Sequence, residues 1–249
     1  MQQGSLIPRF GRARRDPALA VLEGFHPLKH ALRFDAETVA VVTDDAAALE
    51  RLAARLAPDV GERMLALAQP VDGAVFAQLA PLAPTTGVMA IAVRPALDPA
   101  AMLAAPRSAP IVLLEDPRDL GNIGACVRVA AAADAAGVLT TGSHDPWHPD
   151  ALRGSAGLHF ALPVARMQSL AALDAPLLAV DPDGEPLDPA TLDPHALLAF
   201  GTERHGLSSA LLARADARVS IPMRPGVSSL NLATSVAAVL FAWRLAPRR

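Results

Sequence analysis

Beyond residue 110 the sequence keeps returning to one pattern: a short apolar run, a turn rich in Gly, Pro or Asp, and a helical stretch. The runs are residues 111–114, 138–141, 177–180, 197–201 and 218–221. Runs this short, continuously apolar and separated by helices, predict strands buried on both faces, and so a mostly parallel sheet covered by helices. The fold class expected is therefore α/β. A smaller α/β unit precedes it, with an apolar run at 39–42, a helical stretch at 46–56 and a second apolar run at 88–93. Residues 95–110 are rich in Ala and Pro with little periodicity, which marks a linker or domain edge. The expected division is 1–105 and 106–249.

Composition narrows the chemistry. The chain of 249 residues is long enough for a packed core, and its 52% apolar content is mostly alanine, with no apolar run long enough to span a bilayer. No membrane partner is expected. The basic start, with Arg9, Arg12, Arg14 and Arg15, is not followed by an apolar export segment, so the cytoplasm is the expected location. A single cysteine, Cys126, excludes an intrachain disulfide and a thiolate metal cage, and reads as a small buried residue. No metal is expected. The net charge of −3 argues against a uniformly positive surface that coats nucleic acid, so any RNA contact must be local. With no Tyr and 4% aromatics, extended base-stacking platforms are not expected either. The only lysine, Lys29, lies in Pro-Leu-Lys-His, which rules out a phosphate-binding Gly-Lys-Ser/Thr loop.

Three segments carry candidate chemistry. In the first, the run at 111–114 leads through Glu115-Asp116-Pro117-Arg118-Asp119-Leu120-Gly121 to Asn122, which is expected to start a helix and to place Arg128 almost two turns further on. Ligands of open α/β sheets sit at such strand ends, and a helix start there offers free N–H groups to an anion such as an RNA phosphate. A capping Asn followed by a solvated Arg would read the same. In the second, Phe200-Gly201-Thr202-Glu203-Arg204-His205-Gly206-Leu207 is a strand running into a turn bounded by glycines, which suits close backbone approach to a ligand. Glu203 by itself would also fit a helix start. In the third, Ile221-Pro222-Met223 is followed by Ser228-Ser229-Leu230-Asn231 and an apolar helix to about residue 245. Ser229 could be no more than the cap of that helix.

In this order the three segments resemble the motifs of the SpoU/TrmH RNA methyltransferases: Asn-x-Gly-x-x-x-Arg, Gly-x-Glu-x-x-Gly-Leu, and Ile-Pro-Met with Ser-Leu-Asn. The resemblance covers about residues 111–245. The stretch Arg153-Gly154-Ser155-Ala156-Gly157 running to Leu162-Pro163-Val164 is similar to a further family segment, and its order is not the Gly-x-Ser-x-Gly of a hydrolase elbow. The resemblance implies a trefoil-knotted SPOUT domain, S-adenosylmethionine as cofactor held at Gly201, Ile221 and Leu230, and a homodimer with the active site near the interface. The stretch from Asp16 to Leu32 is similar to the start of a ribosomal-protein-like substrate-binding domain. This implies an RNA-binding role for residues 1–105.

The activity implied is methyl transfer to a ribose 2′-hydroxyl. Arg128 would lie nearest the hydroxyl, with Asn122, Glu203, Ser229 and Asn231 arranging the site. A guanidinium is a poor base, so Arg128 is expected to hold phosphate and hydroxyl in geometry. The expected partner is RNA, with ribosomal RNA ahead of transfer RNA. Alternatives are a tRNA 2′-O-methyltransferase, a base-methylating relative, and a non-catalytic RNA-binding or ribosome-assembly protein of the same fold. A nicotinamide oxidoreductase would need Gly-x-Gly-x-x-Gly, which Gly121-Asn122-Ile123-Gly124 does not supply.

Overall fold

The computed structural model describes residues 5–169, 175–202 and 205–247. In chain order the elements are α1 (Leu6–Ala13), β1 (Leu19–Glu23), α2 (Phe25–Arg33), β2 (Thr38–Thr43), α3 (Ala46–Leu56), α4 (Gly61–Leu67), β3 (Ala68–Pro70), α5 (Gly73–Phe76) and β4 (Val88–Val93). They continue with α6 (Pro99–Ala104), β5 (Ile111–Leu114), α7 (Leu120–Ala132), β6 (Gly137–Thr140), α8 (Pro149–Gly154) and β7 (Val164–Arg166). The last are β8 (Leu177–Pro186), β9 (Leu197–Phe200), α9 (Ser209–Arg214), β10 (Ala217–Ser220) and α10 (Leu232–Leu245). The chain divides into two compact units, one of residues 1–96 with 147–161, the other of residues 97–146 with 162–249.

The first unit is built on a four-stranded sheet in the order β1-β4-β2-β3, with β4 antiparallel to both β1 and β2. The basic start of the chain forms α1, which buries Leu6, Phe10 and Ala13 at helical spacing and leaves Arg12 exposed, as is Arg15 just beyond the helix. Asp45 starts α3 by accepting the Ala48 N–H. Residues 147–161 were expected in the second domain and belong here instead. Glu23 supplies a physical reason. Its side chain is only 5% exposed and is paired with Arg14 at 2.6 Å and with Arg153 at 2.9 Å. A carboxylate so buried needs cationic partners, and one of the two comes from α8. His30 adds a second tie, with Nδ1 2.7 Å from the Ala156 carbonyl oxygen. Burial lowers the His30 pKa from its ordinary 6.5, with Lys29, Arg33 and His26 adding repulsion and the Ala156 bond opposing the shift. Ser155 and His159 are buried and bonded to each other at 2.7 Å, so Ser155 serves the packing of this segment.

The second unit is a six-stranded sheet in the order β10-β8-β9-β5-β6-β7, and every neighbouring pair is parallel. This is the parallel α/β sheet expected from the runs. Residues 95–110 do not form a featureless linker. They contain α6, capped by Asp98, and its Leu103 packs into the core with Ile111, Leu113, Leu139 and Leu197. The division therefore falls after Ala96, not after residue 105, because α6 buries its apolar side in this sheet. Two departures from regularity position the site. Strand order reverses between β5 and β9, so the carboxyl ends of those strands diverge into loops on opposite sides. The β8–β10 ladder also breaks: Arg218 pairs with Ala179, but Val219 pairs with Glu185, so residues 180–184 of β8 bulge out of register with β10.

Candidate active site

The site is assembled at the carboxyl ends of β5, β8, β9 and β10. At the end of β5, the helix α7 starts one turn earlier than the sequence suggested. Its cap is Asp119, whose carboxylate accepts the Asn122 N–H at 2.7 Å. Asn122 is thus inside the first turn. The free helix N–H groups expected for an anion face this carboxylate, which satisfies one of them and repels a phosphate. The Asn122 side chain is half-buried, and its Oδ1 accepts a hydrogen bond from Asn231 Nδ2 at 3.1 Å.

Asn231 has two functions at once. Its own Oδ1 accepts from Ala233 N at 3.0 Å and Thr234 N at 3.3 Å, which makes it the cap of α10. Ser229, considered above as that cap, lies upstream of it and lines a cavity. One side chain therefore starts α10 and ties it to the first turn of α7. Arg128 is exposed on α7 and does not line that cavity. Among the described residues it makes no hydrogen bond or ion pair. Glu203 lies outside the described residues. Cys126 is buried on α7, as expected of a small apolar side chain.

At the end of β9 the chain turns tightly. Thr202 N donates to the Gly206 oxygen at 3.2 Å and Gly206 N to the Thr202 oxygen at 2.9 Å. A Cβ on Gly201 would fall inside the Gly206 carbonyl group and the Leu207 nitrogen, so only glycine fits there. Gly206 itself has φ +63°, the left-handed region.

Gly201, Ile221 and Leu230 come together as lining of one cavity of about 340 Å³. Val180, Phe200 and Leu232 supply further apolar wall, and Thr202, Ser228, Ser229 and Ser235 supply hydroxyls. Sequence reasoning missed Asp181 and Pro182, which the broken β8–β10 ladder turns into the cavity wall. The signal was legible in part, since Asp181-Pro182-Asp183-Gly184 directly follows an apolar run and is a strong turn sequence. Asp181 accepts the Asp183 N–H at 3.0 Å, which closes that turn, and it is the only charged residue lining the cavity among the described residues.

A parallel α/β sheet with a small-molecule cavity at its strand ends, lined by three separate loop segments, defines a ligand-binding domain of the open-sheet class. The family is then fixed by comparison: a family model described as the SpoU rRNA Methylase family matches residues 109–241, and the chain belongs to that family. The 23S rRNA (uridine(2479)-2′-O)-methyltransferase of Streptomyces viridochromogenes is 34% identical over 144 residues, covering 52% of this chain and 50% of that protein. The chain spans about half the length of the curated relatives it matches. Among solved structures, the SpoU methyltransferase AviRb from Streptomyces viridochromogenes in complex with the cofactor AdoMet superposes with a TM-score of 0.73. Identity is 26%, and the match covers 98% of this chain and 95% of that one. A crystal structure described as an RNA 2′-O ribose methyltransferase gives a TM-score of 0.70 at 27% identity, covering 96% of this chain and 97% of that chain.

Proposed function

We propose that this chain binds S-adenosylmethionine in the 340 Å³ cavity and transfers its methyl group to a ribose 2′-hydroxyl in RNA, with ribosomal RNA as the substrate class. The observation that carries the proposal is the convergence of Gly201 from the second segment with Ile221 and Leu230 from the third on one cavity at the strand ends. The residues present fit the cofactor. Apolar Val180, Phe200, Ile221 and Leu230 suit a flat base, the serine and threonine hydroxyls suit its polar edges, and the Gly201 turn lets backbone groups approach closely. The cavity is at the lower end of the range of roughly 300–1,000 Å³ for small-molecule sites.

The bound cofactor would supply a methyl group made electrophilic by a sulfonium. The chain's own contribution is orientation, because an in-line displacement at carbon needs the attacking oxygen aligned. Asn122 and Asn231, joined to each other, would fix the wall on the RNA side, with Ser229 and Glu203 completing it. Arg128, exposed on α7, would hold the RNA phosphate and the 2′-hydroxyl beside that wall.

The same proposal includes a trefoil-knotted path for the segments after β8, β9 and β10, a homodimer, and a cytoplasmic enzyme. Phe241 and Leu245 on α10, 38% and 79% exposed, favour the dimer as apolar surface for a second copy. Residues 1–105 would contribute RNA contacts, a role supported by the exposed Arg12 on α1 and Arg15 just beyond it. The ribosomal substrate draws support from the 23S rRNA named for the Streptomyces viridochromogenes relative.

The test is to incubate the protein with radiolabelled S-adenosylmethionine and total RNA, then digest to nucleosides. Label in 2′-O-methylnucleosides from ribosomal RNA is the expected outcome. Label in transfer RNA would change the substrate, label on a base would change the acceptor atom, and no label would leave a non-catalytic RNA-binding protein.

A further inference from the structure

We infer that Glu115 is a positioning residue for the cofactor cavity: its carboxylate clamps the glycine turn after β9 in the shape that forms the cavity wall. The inference rests on the reading of that cavity given above. Glu115 is the first residue beyond β5, and its N–H donates to the Phe200 carbonyl oxygen at 2.9 Å. Its backbone is thereby fixed beside the residue that precedes Gly201. Its side chain then reaches the far end of the same turn. Oε2 accepts the Ser208 N–H at 2.7 Å and Oε1 accepts the Ser208 hydroxyl at 2.6 Å.

One residue therefore holds both ends of the turn, the near end through its main chain and the far end through two charge-assisted bonds. Between those ends lie Gly201, Thr202 and Gly206, all of which line the cavity. Glu115 does not line it and so acts through the turn. The Ser208 hydroxyl is used in both directions, since its oxygen also accepts the Leu211 N–H at 3.1 Å and caps α9. Capping alone needs no carboxylate, so the Glu115 bonds serve a different purpose: they fix where α9 and the turn begin relative to β5. Among the described residues, the turn is also held by its own Thr202–Gly206 bonds, by His205 N donating to Thr202 Oγ1 at 3.2 Å, and by Leu207, which packs into the core.

The chemistry of the pair is specific. A glutamine at 115 can accept the Ser208 N–H through Oε1 and donate its N–H₂ to the Ser208 hydroxyl oxygen, so Glu115→Gln loses the charge on both bonds while Glu115→Ala loses the bonds themselves. Hydrogen bonds to a charged group are the stronger ones, and the loss of both predicts a cofactor affinity about tenfold weaker in Glu115→Ala.

The experiment uses the full chain. Calorimetry with S-adenosylmethionine is run on the unaltered protein, Glu115→Gln, Glu115→Ala, Ser208→Ala and the double variant, alongside thermal melting and amide hydrogen exchange at Gly206. The expected result is a graded loss, smaller for Gln than for Ala, with the double variant no worse than Glu115→Ala because the two residues act as one unit. In turnover, KM for the cofactor rises about tenfold while kcat stays within about twofold, a split that general loss of stability does not produce. Unchanged affinity in Glu115→Ala, or losses that add in the double variant, overturns the clamp and leaves the cavity reading intact. If the unaltered protein binds no cofactor, the cavity reading fails. Exchange then decides the clamp: faster exchange at Gly206 in Glu115→Ala supports it, and equal exchange overturns it.

Discussion

The two units hold their inserted segments by different physics. In the first, residues 147–161 are tied by ionisable groups: Glu23 between Arg14 and Arg153, and His30 on the Ala156 carbonyl. In the second, the cavity is framed by steric fit at the Gly201 turn, by the neutral Asn122–Asn231 amide pair that starts α10, and by the Glu115 carboxylate on Ser208. Steric fit and neutral amides keep their shape as pH and salt change, whereas a tie built on buried charge alone responds to both.

The strongest way to break the contrast is at Gly201. Gly201→Ala places a Cβ inside the Gly206 carbonyl group, so cofactor binding measured by calorimetry should be lost, with affinity down at least about 100-fold, as the turn must open. Survival of binding would show that fit does not frame the cavity. Next comes Arg128, the exposed cation on α7. Arg128→Ala should lower kcat at least about 100-fold, in line with removal of a group that acts on the reacting atoms, while cofactor affinity stays within about twofold. Equal activity in the variant would remove Arg128 from the reaction.

The third prediction concerns the charged tie. Glu23→Gln leaves Arg14 and Arg153 without their shared carboxylate and should cost about 2 kcal/mol in urea unfolding, with cofactor affinity unchanged. A parallel loss of cofactor affinity would erase the distinction between the units. The smallest effect is at His30. Its folded-state pKa lies below the ordinary 6.5, so the unfolded chain binds the proton more readily. Stability from this group is present above pH 6.5 and is lost as pH falls through the lower folded-state value. Unfolding midpoints at pH 7.5 and 5.5 should differ less in His30→Gln than in the unaltered protein.

Some features were legible in the sequence because they are local. The strands β4 and β5 and the helix α3 match the expected runs, since an apolar run bounded by turns reports its own burial. The three-residue strands β3 and β7 are not legible, because so few residues carry no period of their own and gain strand geometry only from a neighbour. Helix starts were misplaced for the same kind of reason. Asp119 and Asn122, and likewise Ser229 and Asn231, are chemically equivalent caps, and the choice depends on where the preceding loop ends. Helix α6 lies in the stretch that reads as a linker or domain edge, because its alanines show no stripe until Leu103 meets the sheet.

By itself the sequence determined the parallel α/β architecture of the second unit, the order of three motifs, and a cysteine and lysine usage that excludes whole classes of chemistry. Those depend on residue type and spacing, which a chain carries before it folds. Tertiary structure alone decided that Gly201, Ile221 and Leu230 line one cavity, that Asp181 joins them, that Asn231 bonds Asn122, and that Glu115 reaches Ser208. It also decided that residues 147–161 belong with the first unit. Each of these is a contact between residues far apart in sequence, and its energy exists only once the strands between them have found their register.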